Sequence, residues 1–200
     1  MQSFFWNVLS NPEIYSRLNS EIEACHMSSQ LSKRINYTEA TTQLPYFQAC
    51  LKEAMRISPA VGLNITRMVP EPYAEVDGHV LPGGTRVALN AWVLHRDKAC
   101  FGEDADFYSP DRWITNRDDE AGKKRIKVME QNMFQFGGGS HLCIGRHLAL
   151  LEMNMILPEL LRRYRFKLCC PGKPLEHHSS FFVVQKGLIV KVEKSSLIRD

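Results

Sequence analysis

The sequence predicts a mainly α protein with small antiparallel β sheets, an α+β chain, on three observations. Apolar residues recur at helical spacing behind Asn and Pro start signals as far as Ile57, and again beyond Cys143. β-Branched runs broken by Gly and Pro fill residues 61–90 and return near the C-terminus. The composition, 44% hydrophobic and 24% charged over 200 residues, is that of a chain able to bury one sizeable core.

Taken in order, Met1 to Ser10 reads as the last turns of a helix, and Asn11-Pro12-Glu13 restarts one with an N-cap residue, a proline at the first position and an acidic first turn. This second helix is expected to reach about Cys25, with a polar connection through Lys33 and a short helical turn at 38–42. Leu44, Phe47, Leu51 and Met55 predict a helix over 44–57, which Pro59 ends. Strands are expected at 65–69, 74–76, 79–81 and 85–89, the last after Pro82-Gly83-Gly84. Residues 97–135 show little periodicity, and so long a stretch is expected to be either functional or disordered. From Cys143, the spacing of Ile144, Leu148, Leu151 and Met155 predicts a helix that passes Pro158 as a kink and reaches about Arg163, because Leu160 and Leu161 resume the apolar face. Strands at 166–169, 181–184 and 188–192 complete the reading, with Gln185-Lys186-Gly187 as a tight turn joining the last two.

Composition also narrows the function. Six cysteines without regular spacing argue against a disulfide framework and for a reducing compartment. A net charge of +3, with no basic stripe interleaved with aromatics, does not point to nucleic acid. No apolar run approaches the ~20 residues of a membrane-spanning helix, and the first residues resemble a helix interior more than a cleavable leader.

The densest chemical signal is Phe136-Gly-Gly-Gly-Ser-His-Leu-Cys-Ile-Gly145. Its glycines, 137–139, can take positive φ and let a flat partner approach the backbone. Cys143 stands where the helical spacing begins, and the unpaired N–H groups and dipole of a helix start favour a thiolate, the form that ligates metal. Two other constellations accompany it. Glu53-Ala-Met-Arg56 sets a carboxylate and a guanidinium three residues apart on one helix face, and Tyr108-Ser-Pro-Asp-Arg112-Trp113 lies downstream.

The glycine-rich string resembles, through Phe136, Gly139, His141, Cys143 and Gly145, the F-x-x-G-x-[RH]-x-C-x-G loop of the cytochrome P450 family. Glu53 and Arg56 match the family's E-x-x-R motif, and Tyr108 to Trp113 matches its F-x-P-x-R-[FW] motif with Tyr108 in place of the usual Phe. The resemblance extends through all 200 residues and is closest to fungal members of the pisatin demethylase-like kind.

It implies the C-terminal portion of the P450 fold, residues 1–200 forming a single partial domain whose N-terminal half is absent. It also implies haem b with Cys143 as proximal thiolate, whose electron donation favours O–O cleavage. Phe136 and Gly145 would shield and approach the sulfur side, and Arg67 and His141 would meet the haem propionates, with His95 a weaker candidate. Glu53, Arg56 and Arg112 would form a structural network locking the haem-side loop. Val61, Leu63 and Phe182 would face a small apolar organic substrate. The reaction so implied inserts one oxygen atom from O2 into that substrate, with electrons from NADPH-cytochrome P450 reductase docking near Lys123, Lys124, Arg125, Lys127 and Arg146.

For a full-length member, as in fungal secondary metabolism, the resemblance implies the cytosolic face of the endoplasmic reticulum membrane, reached through an N-terminal anchor. The 200 residues alone would be cytoplasmic. The family's oxygen-activating acid and alcohol are expected upstream of Met1, so the chain is either the C-terminal portion of a monooxygenase or a degenerate fragment unable to hold haem. Two readings of other classes remain: a cysteine nucleophile using Cys143 and His147, which lacks an orienting third residue, and a zinc site at Cys169, Cys170, His177 and His178, where adjacent cysteines lack the usual spacing.

Overall fold

Pro45 opens the helix around which the rest is arranged. In a computed structural model that describes residues 1–197, helices α1 (Gln2–Leu9), α2 (Pro12–Met27), α3 (Tyr37–Gln43) and α4 (Pro45–Ile57) are followed by a β region, three further helices, and the long helix α8 (Arg146–Arg163). Pro12 and Pro45 both sit at helix starts, where a missing N–H costs nothing. Helix α3 is fixed by a reciprocal capping box: Asn36 accepts from the Glu39 N–H and Glu39 accepts from the Asn36 N–H. Phe4 and Val8 of α1, Leu18 and Ile22 of α2, Phe47 and Leu51 of α4, and Leu157 and Leu161 of α8 bury together as one core. Pro158 lies inside α8, which continues through it.

The β region forms two antiparallel pairs. β1 (Ile65–Met68) pairs with β4 (Arg86–Leu89), and β2 (Tyr73–Val76) with β3 (His79–Pro82). Near the C-terminus, β5 (Tyr164–Leu168) pairs with β8 (Val190–Lys194), and β6 (Glu176–Ser179) with β7 (Val183–Lys186). The mixed α+β class is thus as the sequence predicts. Among the described residues, no helix is long and apolar enough to cross a membrane.

Two local expectations are corrected, and one strand is present that the sequence does not predict. The stretch 97–135 is neither featureless nor disordered: after α5 (Ala91–Leu94) it holds α6 (Lys98–Phe101), a 3₁₀ turn (Pro110–Trp113) and α7 (Glu120–Gln131). Helix α7 buries only Gly122 and Met129, with Ile126 half-buried, a narrow seam in a mainly charged helix, and Asp119 caps it through the Gly122 N–H. Second, 185–187 does not join paired strands: β8 leaves β7 and pairs with β5, with Gly187 turning at φ 93°. The additional strand, β6, with the sequence Glu-His-His-Ser and every residue exposed, carries no alternation for a sequence reading to find. It exists because β7 offers its backbone.

Candidate functional site

The end of α4 poses an electrostatic problem that the sequence solves. Glu53 and Arg56 are both fully buried, and burying either charge alone would cost several kcal/mol. Glu53 Oε1 accepts from Arg56 Nη2 at 2.8 Å, Arg112 Nε at 2.9 Å and the Ser109 N–H at 2.9 Å. Its Oε2 accepts from Arg56 Nε and Trp113 Nε1, each at 2.8 Å. Arg56 spends its remaining donors on the carbonyls of His95, Ala105 and Phe107, so all five of its N–H groups are used. Arg112 in turn donates to the carbonyls of Phe101 and Asp104 and to the Asp104 carboxylate. The cluster therefore gathers the carbonyls of residues 95–107, a loop that has few apolar anchors of its own. None of its hydrogen bonds reaches residues 136–145 directly.

The last carbonyls of α4 lack partners within the helix. The segment Asn90–Arg96 supplies them: Arg96 Nη2 donates to Ile57 O at 2.8 Å and His95 Nδ1 lies 3.0 Å from Arg56 O, while Trp92 Nε1 donates just past the helix to Pro59 O at 3.1 Å. His95 Nε2 accepts from the Phe134 N–H at 2.7 Å, so the ring's proton sits on Nδ1. His95 is thus wholly buried between α4 and the approach to the cysteine loop and does not meet a propionate. A histidine between an apolar run and an arginine reads as exposed because only the folded chain closes α4 over it. Burial, and then the charges of Arg56 and Arg96, push its pKa down to about 4.

The glycine-rich loop is folded back on itself. Gly137 N–H donates to Phe134 O at 2.9 Å, and Cys143 N–H donates to Phe136 O at 2.8 Å, which brings Phe136 and Cys143 together. Gly137 and Gly139 take φ of 76° and 60°, and a Cβ at Gly137 would lie 3.0 Å from the His141 carbonyl oxygen. Helix α8 begins at Arg146, so Cys143 stands three residues ahead of it and not at its start. Gly145 is the capping residue, and the Arg146 N–H turns back to Cys143 O at 3.2 Å. A Cβ at Gly145 would lie 3.8 Å from Cys143 Sγ, so the backbone runs close beside the sulfur.

The thiol of Cys143 is exposed, and so is the apolar stripe beside it. Ile144, Leu148, Leu151 and Met155, the residues whose spacing predicts the helix, are 100%, 60%, 41% and 39% exposed, whereas Leu157 and Leu161 are fully buried. Burying such side chains is worth roughly 1.5–3 kcal/mol each, so a contiguous uncovered stripe marks a binding face. A recess of about 240 Å³ lies beside it, lined by Met1, Phe4, Met55, Phe136, Ala149 and Met153. That is below the roughly 300–1,000 Å³ of a typical ligand pocket.

Other candidates fall as follows. Arg67 and His141 are exposed, Arg67 on β1 opposite Val87, with its guanidinium donating to Thr66 O at 2.7 Å. Val61 and Phe182, 121 residues apart, form a β-bridge, reinforced by Gly62 N–H to Phe181 O and Val183 N–H to Ala60 O. Leu63 and Phe182 expose their side chains beside this junction. Lys123, Lys124, Arg125 and Lys127 lie on α7, all exposed. Among the described residues, no group of three or more His, Cys, Asp and Glu side chains is arranged to hold a metal ion, Cys169, Cys170, His177 and His178 included.

Two outcomes follow from the buried charges. Arg56→Lys cannot reproduce the five-donor fork and is expected to lower unfolding free energy by about 3–5 kcal/mol in a denaturant titration. For His95, the unfolded imidazole takes a proton below its ordinary pKa of 6.5, while the folded one resists it down to about 4. The stability it contributes is whole above pH 6.5 and is lost as pH falls from 6.5 to about 4. His95→Gln is therefore expected to flatten the pH dependence of unfolding across that window by about 2–3 kcal/mol.

Comparison with known proteins agrees with this architecture. The family described as Cytochrome P450 matches residues 1–192. The cytochrome P450 monooxygenase cicH of Emericella nidulans is 35% identical over 193 residues, which is 96% of this chain and 37% of that protein. ACRTS1 of Alternaria alternata, also named a cytochrome P450 monooxygenase, is 31% identical over 98% of this chain and 50% of its own length. Pisatin demethylase of Fusarium vanettenii is 31% identical across 100% of this chain and 36% of its own length. The chain thus spans between about a third and a half of the relatives it matches. A match over nearly every residue, together with relatives that are fungal monooxygenases, establishes that the chain belongs to the cytochrome P450 family.

Proposed function

We propose that these residues form the cysteine-bearing wall of a haem-thiolate monooxygenase site, with haem b held through Cys143. The observation that carries this reading is the exposed thiol standing at the head of an uncovered apolar stripe. A flat, largely apolar cofactor that takes a sulfur ligand would suit both features, and Gly137, Gly139 and Gly145 leave the backbone side free of bulk. When bound, the haem supplies the iron on which O2 is activated, and a thiolate ligand favours that chemistry over a neutral nitrogen ligand.

The chain's own groups have assignable parts. The bond from Cys143 N–H to Phe136 O holds the loop closed and the thiol in place. Arg67 and His141 offer exposed hydrogen-bond donors for the cofactor's carboxylates. Val61, Leu63 and Phe182 sit at the junction of two segments and present apolar surface to a small apolar organic substrate, into which one oxygen atom is inserted. The exposed cations of α7, with Arg146, suit an acidic electron donor such as NADPH-cytochrome P450 reductase. The full-length protein would work at the endoplasmic reticulum membrane. On its own, the 200-residue chain presents one wall, so its exposed stripe favours self-association until it is covered.

Expression with haem, reduction and exposure to carbon monoxide tests the ligand directly. A strongly red-shifted Soret band that disappears in Cys143→Ser is expected; the same band in both proteins, or no uptake by the unaltered chain, would sink the proposal. Zinc content and Cys143 alkylation on the same sample separate the metal and nucleophile alternatives. For docking, electron-transfer rates from the reductase are expected to fall steeply with added salt, and a salt-independent rate argues against the α7 surface.

A further inference from the structure

Of the buried groups that the proposed function leaves unused, His95 is the one whose contacts lead from one constellation to the other. We propose that His95 is a positioning residue that couples the buried Glu53–Arg56–Arg112 cluster to the Cys143 loop through its two ring nitrogens. The coupling follows a continuous path. Arg56 Nη1 donates to His95 O at 2.6 Å, and His95 Nδ1 returns a bond to Arg56 O at 3.0 Å, so the two residues clasp each other. His95 Nε2 takes the Phe134 N–H at 2.7 Å. Phe134 O then takes the Gly137 N–H at 2.9 Å, and two residues on from Phe134, Phe136 O takes the Cys143 N–H at 2.8 Å.

Each step has one workable polarity. An acceptor at Nε2 is what the Phe134 N–H needs, and an imidazolium would set two N–H groups against each other there. The charged groups facing the ring are the Arg56 guanidinium from α4 and Arg96 beside it in sequence. Their carboxylate partners, Glu53 and Asp106, are engaged with those arginines, and the Phe101 ring meets the imidazole edge-on at 6.2 Å. Apart from the Arg56 carbonyl, which already takes the Nδ1 proton, burial and the charges facing His95 disfavour a second proton. The cluster secures α4 and residues 95–107, while His95 carries that order on to the start of the loop. The relevance of this coupling to catalysis rests on the haem-thiolate reading; the coupling itself does not.

Two amide variants separate the nitrogens. In His95→Asn the side-chain N–H₂ replaces Nδ1–H but nothing reaches Phe134, whereas in His95→Gln the amide oxygen replaces Nε2 and can keep the Phe134 bond. Hydrogen exchange of the whole chain, read by mass spectrometry on peptides covering residues 134–138, is expected to accelerate about tenfold in His95→Asn. In His95→Gln it should stay near the unaltered rate, with the β5–β8 peptides unchanged in both. Unchanged exchange at 134–138 in His95→Asn, or failure of His95→Gln to restore it, overturns the proposal. So does an equal loss of protection at β5–β8, which would make His95 a determinant of the whole fold. Haem uptake is measured separately on the same proteins: an unaltered chain that takes up no haem while showing the expected exchange pattern defeats the cofactor reading and upholds the coupling.

Discussion

A carboxylate and two guanidinium groups closed off from water constrain the rest of the molecule. Glu53 at the heart of this cluster accepts five hydrogen bonds, and Asp104 supplies Arg112 with the second carboxylate that two guanidinium charges need. A buried ion pair is a weak source of net stability, because desolvation consumes most of the Coulomb gain. Its effect here is to tie residues 95–113 together: the two arginines take their acceptors from the carbonyls of His95, Phe101, Asp104, Ala105 and Phe107, a stretch with little apolar content. The helical core can form from hydrophobic burial; the peripheral loop needs the ions.

That division explains how the site face is held without being packed. α8 is anchored at its C-terminal half, where Leu157 and Leu161 enter the core and Arg162 donates to the carbonyls of Ser32 and Lys33. Its N-terminal half keeps Leu148, Leu151 and Met155 outward. One helix thus serves as core at one end and leaves an uncovered apolar face at the other. Phe136, Gly137 and Cys143 are positioned by backbone hydrogen bonds, so the thiol is held while its surface stays open.

Much of this was legible in the sequence, for reasons that can be stated residue by residue. Asn11, Pro12 and Pro59 marked helix boundaries because their effects are local. Glu53 and Arg56 could be placed on one helix face because three residues span most of a turn. Periodicity found α8 but not its orientation: Ile144, Leu148, Leu151 and Met155 make an apolar stripe whether a helix faces a core or a cofactor. Apolar spacing begins at Cys143, yet the backbone turns at Gly145 before entering the helix. Neither α7 nor β6 carries enough apolar pattern for periodicity to declare it.

His95 marks the boundary between the two kinds of information. Its pattern, a histidine next to Arg96, resembles an exposed cation, and only the approach of α4 and of Phe134 makes it a buried neutral acceptor. The same holds for Val61 and Phe182, whose bridge depends on a strand register set by distant pairings. From the sequence alone came the class of fold, the helix starts, the family motifs and the cysteine, since each depends on neighbours within one or two turns or on an unbroken string. Tertiary structure alone decided which side of α8 is open, which histidine is buried and how the ion cluster connects to the loop. Those depend on which groups lose water together, and water is lost only where distant segments meet.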